Sequence, residues 1–313
     1  MGAVSPDILQ ETLAHLSERG YAVIENALDA DEVAHYRALL DELFERERRQ
    51  PWSPEDGPAG PDDAQIEQFL RQSYDVSQTE LARLMRRIRH TRALNRDTPW
   101  PVPPEQVAKN FLHLPTLFDQ DQSQRVWQLV AKASDVGRLI EDPTILGLAQ
   151  KVLGPDCVLA DASATSIGPH TDGGAWHVDV PLGQLPEPLP DFPLTVQNVW
   201  MMDDFRVENG ATQVVVDSHL TRRKPAWGEG QENAIALEAP AGSVAIWLSN
   251  TWHRSGPNAT ERPRRAVICY YSRSWIKPFT DYVSSIDPHM AREFSPQLRY
   301  LLGFSAHPPP RRG

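Results

Sequence analysis

Two closely spaced His-x-Asp triplets are the residues of this sequence best suited to chemistry. They are His170-Thr-Asp172 and His177-Val-Asp179. Side chains alternate along a β-strand, so a histidine and an aspartate two residues apart aim an imidazole and a carboxylate at one ion. A second histidine from a distant strand completes a three-ligand face with open positions, the arrangement of non-haem Fe(II) oxygenases. One triplet alone is weak support, because surface histidines and aspartates are common.

The downstream sequence supplies further parts for such a site. His253 lies at the end of an apolar segment and is followed by the turn Gly256-Pro-Asn258, and Arg264 and Arg265 then open the last strand-like segment. An arginine inside a barrel needs an anionic partner to offset its desolvation. A dicarboxylate such as 2-oxoglutarate supplies one, because arginine binds carboxylates through paired hydrogen bonds.

The C-terminal half has the pattern of a β-sandwich or barrel. Short strand-like segments alternate there with Gly- and Pro-containing turns, which is typical of these folds. Asn209-Gly210 predicts a type I′ hairpin between two of them. The segments are 158–163, 176–180, 194–203, 211–216, 234–237, 243–249 and 264–272.

The N-terminal half has helical periodicity. Leucines at helical spacing predict a helix over 6–19, followed by a short strand at Tyr21–Ile24. Asp29 with Glu32 predicts a capping-box helix start, and 122–153 predicts one or two helices. We therefore expect one oxygenase domain over the chain. Its parts are a helix-rich region 1–155, a double-stranded β-helix (jelly-roll) core at about 156–275 and a C-terminal extension 276–313.

Composition narrows the class of protein. The 313 residues carry a net charge of −11 with 23% charged residues, which argues against binding nucleic acid through the phosphate backbone. Cys157 and Cys269 are too few for a disulfide framework. The sequence shows no signal peptide and no apolar run long enough to span a membrane, so we expect a cytoplasmic protein.

Taken in order, these segments resemble the phytanoyl-CoA dioxygenase-like family of Fe(II)/2-oxoglutarate-dependent oxygenases. The resemblance covers roughly 10–275 and is weakest over 45–140. It departs at Val216-Asp-Ser-His219, where the family has Pro-Gly-Ser-His, and we expect His219 to be structural. The segments that carry the resemblance are Gly20–Ile24, Leu28–Val33, Trp176–Asp179, Met202–Phe205, Glu208–Thr212, Ala239–Val244 and Trp252–Asn258.

The resemblance implies an iron centre and catalytic core at His177, Asp179 and His253. The family's 2-oxoglutarate arginine lies eleven residues after the second histidine, which implies Arg264 because 264 − 253 = 11. Arg265 then points to the other face of the strand.

Further contacts are expected around that core. Ser255 matches a hydroxyl that helps to hold the same carboxylate in some relatives, although a serine in a turn is also explained by turn chemistry alone. Gln197 is a further candidate for the cosubstrate site. Candidate substrate contacts are Trp176, Trp200, Lys109, Asn110 and His170, the last with Asp172 at the mouth of the site.

The implied reaction uses Fe(II), O2 and 2-oxoglutarate to hydroxylate, or otherwise oxidise at a C–H bond, a small organic molecule, with release of succinate and CO2. We expect a natural-product intermediate in secondary metabolism, because no sequence motif forms a nucleotide cradle for CoA. Two alternatives stay open. One is a cupin-type metal enzyme that does not use 2-oxoglutarate, and the other is a non-catalytic jelly-roll binding module.

Overall fold

The structure, a computed structural model, describes residues 6–47, 62–73, 77–79, 81–82, 85–86, 89, 123–226 and 229–304. None of the helices in these ranges is long and apolar enough to cross a membrane. The helices with defined bounds are α1 (Pro6–Arg19), α2 (Ala30–Arg46), α3 (Asp63–Ser73), α4 (Leu129–Lys132), α5 (Gly137–Ile140), α6 (Pro143–Leu153), α7 (Tyr282–Ser285), α8 (Pro288–Glu293) and α9 (Pro296–Leu301).

Nine strands form two antiparallel sheets in the described ranges. The larger sheet has the order β1-β7-β4-β9-β3-β2, and the smaller has the order β6-β5-β8. The strands are β1 (Tyr21–Ile24), β2 (Gln124–Val126), β3 (Val158–Ile167), β4 (Thr195–Met201), β5 (Thr212–Val215), β6 (Ala234–Ala236), β7 (Val244–Leu248), β8 (His253–Ser255) and β9 (Arg264–Ser272).

The two sheets face each other across a shared apolar interior. Val199 and Ala266 of the larger sheet pack in one cluster with Val214 of the smaller sheet and with Phe205. Because side chains alternate along each strand, one face of each sheet supplies this interior. The expected double-stranded β-helix is confirmed.

The outer face of the larger sheet is covered by the helices. Trp200, Val267 and Tyr271 from this face share a buried cluster with Leu16 of α1 and Leu40 of α2. Burying one such side chain contributes about 1.5–3 kcal/mol. The helices therefore hold the sheet from behind and leave its inner face to the site.

Local signals fix where the helices begin. At α2 the Asp29 carboxylate accepts from the Glu32 N–H, and the Glu32 carboxylate accepts from the Asp29 N–H, which is the predicted capping box. At α6 the carboxylate of Asp142, the residue before Pro143, accepts from the N–H groups of Thr144 and Ile145.

Three expectations about elements were wrong. Within 122–153 the chain forms a strand, β2, before its helices, because residues 124–126 pair with β3 at the sheet edge. Residues 176–180 do not form a strand and make only one isolated bridge, between His177 and His253. Asn209-Gly210 is not a type I′ hairpin, because only Gly210 has a positive φ (86°) and the flanking strands β4 and β5 belong to different sheets.

Candidate metal centre

Three side chains converge at one point between the sheets. One ligand atom from each of His177, Asp179 and His253 lies within 4.8 Å of the others. The two histidines are buried and Asp179 is half-buried. The structure thus brings together the three residues that the sequence singles out as metal ligands.

Backbone pairing sets this convergence although 176–180 is not a regular strand. The N–H of His177 donates to the His253 carbonyl at 3.1 Å, and the N–H of His253 donates back at 3.0 Å. The Asp179 N–H donates to the Ser249 carbonyl at 2.9 Å, in the loop that follows β7. The segment carrying two ligands is therefore fastened to the strand that carries the third.

Hydrogen bonds orient both imidazole rings. His177 Nδ1 lies 2.9 Å from the Ala175 carbonyl, and His253 Nδ1 lies 2.8 Å from the Thr251 carbonyl. A carbonyl accepts only from a protonated nitrogen, so Nδ1 carries the proton and Nε2 is left as the metal-binding atom. Both rings have the tautomer that a metal site requires.

The charges of the site favour binding a cation. His253 Nε2 lies 3.4 Å from Asp179 Oδ1. Burial raises the pKa of Asp179, but the nearby His253 and His177 outweigh it and hold that pKa below its ordinary value. Burial lowers the pKa of His253, but Asp179 outweighs it and the net shift is upward.

The donor set fits a metal with open positions. Asp179 Oδ2 and His253 Nε2 are buried without a hydrogen-bond partner among the described residues. Such atoms are costly to leave unmatched, and two nitrogens with one carboxylate oxygen suit a first-row transition metal. The three residues therefore fit an iron that keeps coordination positions for other ligands.

A cavity of about 280 Å³ opens beside this triad and is lined by the inner face of the larger sheet. Its floor includes a row of paired residues across four strands: Trp247, Gln197, Tyr270 and Asp161. Room for small molecules therefore lies directly against the three ligands.

Arg264 lines the same cavity and is only 3% exposed. Its Nη2 donates to the Gly210 carbonyl at 2.7 Å, and its guanidinium lies 4.1 Å from the centre of the Phe205 ring. No carboxylate of the described residues forms an ion pair with it, and its Nε has no hydrogen-bond partner there. Burial lowers the pKa of Arg264 to about 9. The charge of Asp203 opposes this shift only in part, so the site holds a buried cation with no anion of the described residues at ion-pair distance.

The two other cosubstrate candidates also line the cavity. Ser255 Oγ lies 3.5 Å from Arg264 Nη2, so the hydroxyl and the guanidinium face the same space. Gln197 is half-buried on β4. Their proposed contacts with a cosubstrate stay predictions.

Arg265 points to the opposite face. It forms ion pairs with Asp203 at 2.9 Å and with Asp41 of α2 at 2.7 Å. This arginine is satisfied by protein carboxylates and has no need of a ligand.

The two tryptophans proposed as substrate contacts do not line the cavity. Trp200 is fully buried in the cluster behind the larger sheet, which gives no support to a substrate contact. Trp176 is buried in a separate cluster with the Arg254 guanidinium 4.7 Å from its ring centre, and neither tryptophan lines the cavity. Lys109 and Asn110 lie outside the described residues.

The first His-x-Asp triplet is not at the centre. His170 is exposed and pairs with Glu261 at 3.0 Å, and Asp172 lies 3.9 Å from Arg86. Neither residue lines the cavity. His219 is buried, with Nε2 3.1 Å from the Ser17 carbonyl, which agrees with a structural role between α1 and the small sheet.

Sequence reasoning missed a charged pair in the cavity, Arg125 and Asp161. Arg125 could not be identified from the sequence because its segment has helical spacing, whereas in the structure this segment is an edge strand. Asp161 gives a usable signal, since a carboxylate in the middle of an otherwise uncharged strand, 158–167, needs a buried partner.

Comparison with known proteins places this geometry in a family. The family model described as "Phytanoyl-CoA dioxygenase (PhyH)" matches residues 16–266. Dioxygenase af480 of Aspergillus fumigatus is 31% identical over 172 residues, which are 53% of this chain and 54% of that protein. The uncharacterized protein Rv1501 of Mycobacterium tuberculosis is 27% identical over 172 residues, 53% of this chain and 61% of that protein. The chain thus spans little more than half the length of these curated relatives.

Solved structures share the fold at low sequence identity. The epimerase SnoN from nogalamycin biosynthesis, in complex with Fe3+, alpha ketoglutarate and nogalamycin RO, is 18% identical with a TM-score of 0.54, and 91% of each chain is covered. EvdO2 from Micromonospora carbonacea var. aurantiaca, complexed with 2-oxoglutarate, is 16% identical with a TM-score of 0.53, covering 87% of this chain and 92% of that chain.

Proposed function

The chain belongs to the phytanoyl-CoA dioxygenase (PhyH) family, and from that premise we propose that it is an Fe(II)/2-oxoglutarate-dependent dioxygenase. It oxidises a C–H bond of a small organic molecule with O2 and releases succinate and CO2. Hydroxylation is the expected outcome.

One observation carries this proposal, namely that a metal triad and a buried arginine without an ion-pair partner among the described residues face one cavity. His177, Asp179 and His253 supply the ligands, and Arg264 supplies the buried positive charge. A cupin-type enzyme without a keto-acid leaves Arg264 without an anion at ion-pair distance, at a cost of several kcal/mol. A dicarboxylate with one end at the metal and the other at Arg264 satisfies both.

Iron and 2-oxoglutarate supply the oxidising chemistry when they are bound. The protein contributes binding and orientation. The Nδ1 hydrogen bonds fix the two imidazoles before metal arrives, which spares their reorganisation. Arg264, with Ser255 beside it, holds the distal carboxylate and so fixes the direction of the keto-acid. The apolar walls of the cavity exclude water from the bond that reacts.

The substrate is proposed to be a natural-product intermediate. Support comes from the cavity, which is lined mainly by apolar and aromatic groups and is large enough for a small organic molecule. Further support is that the SnoN structure, which shares this fold, is a complex with nogalamycin RO.

The test is an anaerobic visible spectrum of the apo-protein given Fe(II) and then 2-oxoglutarate. The proposal expects a charge-transfer band that needs both additions and is missing in His177→Ala. Glu261→Ala, which removes the exposed partner of His170, is the control that keeps the band. Metal binding without a band would favour the cupin-type alternative, and no metal binding would favour a binding module.

A further inference from the structure

A charged pair separate from the metal triad and from Arg264 also lies in the cavity. It consists of Arg125 on β2 and Asp161 on β3, which is 2% exposed. Their nearest charged atoms, Arg125 Nη2 and Asp161 Oδ2, are 3.6 Å apart. Charge-assisted hydrogen bonds of this type are about 2.7–2.9 Å long, so the two groups attract each other but do not form a hydrogen bond.

Separate hydroxyl groups hold the two members apart. Arg125 donates from Nε at 3.0 Å and from Nη2 at 2.8 Å to Ser163 Oγ. Asp161 Oδ1 accepts from Thr280 Oγ1 at 2.8 Å. Asp161 Oδ2 is buried with no hydrogen-bond partner among the described residues. Asp161 Oδ2 is thus an unused hydrogen-bond acceptor next to the guanidinium of Arg125.

The charge balance of the pair selects the kind of group that fits. Burial raises the pKa of Asp161 and lowers the pKa of Arg125, and each is opposed by the charge of the other. Together the two groups are neutral, so an added carboxylate is repelled by Asp161 and an added ammonium by Arg125. A neutral group that donates to Asp161 Oδ2 and accepts from Arg125 meets both needs without adding charge.

The rim of the cavity beside this pair is apolar. Trp127, Val180 and Phe279 line the cavity and yet are 39%, 40% and 46% exposed. The Arg125 guanidinium lies 3.8 Å from the centre of the Trp127 ring, and the Phe279 and Tyr270 rings are 5.1 Å apart. Large apolar side chains exposed at a cavity mouth indicate an apolar ligand that covers them.

We infer that Arg125, Asp161, Trp127 and Phe279 form the subsite for the primary substrate. The substrate class is an apolar, ring-sized molecule bearing a hydroxyl or another neutral group that both donates and accepts a hydrogen bond. This inference rests on the proposed function, because it assigns the cavity space that 2-oxoglutarate does not use.

The test uses three probes with one skeleton: 2-naphthalenemethanol, its methyl ether and 2-naphthoate. Equilibrium dialysis under nitrogen measures their Kd for the full chain loaded with Fe(II) and 2-oxoglutarate. The alcohol is expected to bind about tenfold tighter than the ether, which cannot donate, and than the naphthoate, which brings a charge. In Asp161→Asn the alcohol loses this advantage and the naphthoate becomes the tightest of the three.

Two further variants separate recognition from folding. Trp127→Ala, at an exposed side chain, is expected to weaken all three probes by a similar factor and to keep their order. Asp203→Asn disrupts an Asp–Arg pair on the outer face of the sheet and is expected to leave the order unchanged.

The inference is overturned by equal binding of the three probes, by no binding of any of them, or by an unchanged order in Asp161→Asn. A rise in the Kd for 2-oxoglutarate in Asp161→Asn, with the probe order unchanged, would also overturn it, because the pair would then belong to the cosubstrate. The Kd of the wild type for 2-oxoglutarate without probes is measured in parallel. Failure of that binding counts against the proposed function itself.

Discussion

The two faces of β9 carry neighbouring arginines with opposite surroundings. Arg265 faces the helices and is matched by Asp203 and Asp41 at ion-pair distance. Arg264, the residue before it, faces the cavity and has no carboxylate partner among the described residues. An arginine is therefore part of the scaffold on one face of the strand and available to a ligand on the other.

The difference extends beyond the arginines. The outer face is a continuous apolar cluster in which Tyr271 donates its hydroxyl to the Ile140 carbonyl at 2.7 Å. Among the described residues both faces have buried polar atoms without a hydrogen-bond partner, but those of the inner face include charged groups, namely Asp161 Oδ2, Asp179 Oδ2 and Arg264 Nε, whereas Trp200 Nε1 of the outer cluster belongs to a neutral side chain. Leaving a buried group unmatched costs about 1–3 kcal/mol and more when the group is charged, so the inner face carries the larger free-energy cost.

The largest effect should come from the inner face, on metal binding. His253→Ala is expected to lower metal affinity by more than about a thousandfold and to abolish turnover, because it removes one of three ligands. Circular dichroism should show a folded protein, and metal content after dialysis gives the affinity. Asp172→Ala, in the other His-x-Asp triplet, should retain the metal. Loss of metal in Asp172→Ala would show that the metal ligands belong to the triplet His170-Thr-Asp172 instead.

A change on the outer face should have the opposite signature. Leu40→Ala removes a fully buried side chain of α2 and should lower the free energy of unfolding by about 2–5 kcal/mol. The folded fraction should still bind metal with wild-type affinity. Urea denaturation followed by metal titration measures both quantities. A loss of metal affinity as large as the loss of stability would show that the two faces are not independent.

The neighbouring arginines give the most direct contrast. Arg264→Ala should raise the Kd for 2-oxoglutarate by about 10–150-fold, since a hydrogen bond to a charged group is worth about 1.5–3 kcal/mol. Arg265→Ala should leave that Kd within about twofold and lower the melting temperature instead. Isothermal titration with the metal-loaded protein separates them, and the reverse pattern would move the anchor by one residue.

The smallest effect is a pH dependence that only the inner face should show. The raised pKa of His253 stabilises the metal-free fold at low pH, and this contribution is lost as pH rises through the raised value. Metal binding has the opposite dependence, because the metal needs the neutral imidazole. Metal affinity should therefore fall by up to about tenfold per pH unit below that pKa. In Asp179→Asn the pKa of His253 should drop, so a fall that begins at the same pH would exclude this pair as the cause.

Much of the fold follows from sequence patterns that depend on near neighbours. The capping box at Asp29 and the helix over 6–19 are set by contacts a few residues apart, and both are present as predicted. The edge strand β2 could not be predicted in this way. It exists only because Gln124–Val126 meets Ser166–Ala164, about forty residues later in the chain.

The candidate site also divides into features set by near neighbours in the sequence and features set by distant strand pairing. The pairing of His177 with Asp179 depends on spacing within one motif, whereas His253 and the choice of Arg264 over Arg265 come from the family resemblance. The structure brings the three triad residues together and turns Arg264 to the cavity. The Arg125–Asp161 pair joins two strands whose register no local pattern specifies. Trp200 illustrates the converse, because an aromatic residue in a barrel strand faces either the cavity or the core, and only the pairing of β4 with β7 and β9 decides which.

The pairing of β1 with β7 has a consequence for synthesis. Tyr21 lies beside Trp247 and Ile24 beside Val244, so the first strand of the sheet has its partner near the far end of the chain. At about 5–20 residues per second, β1 leaves the ribosome roughly 10–45 s before β7 exists. During that interval a chaperone or a neighbouring nascent chain competes for Tyr21–Ile24. Slow translation between the two strands should therefore lower the yield of folded protein even where it leaves the finished fold unchanged.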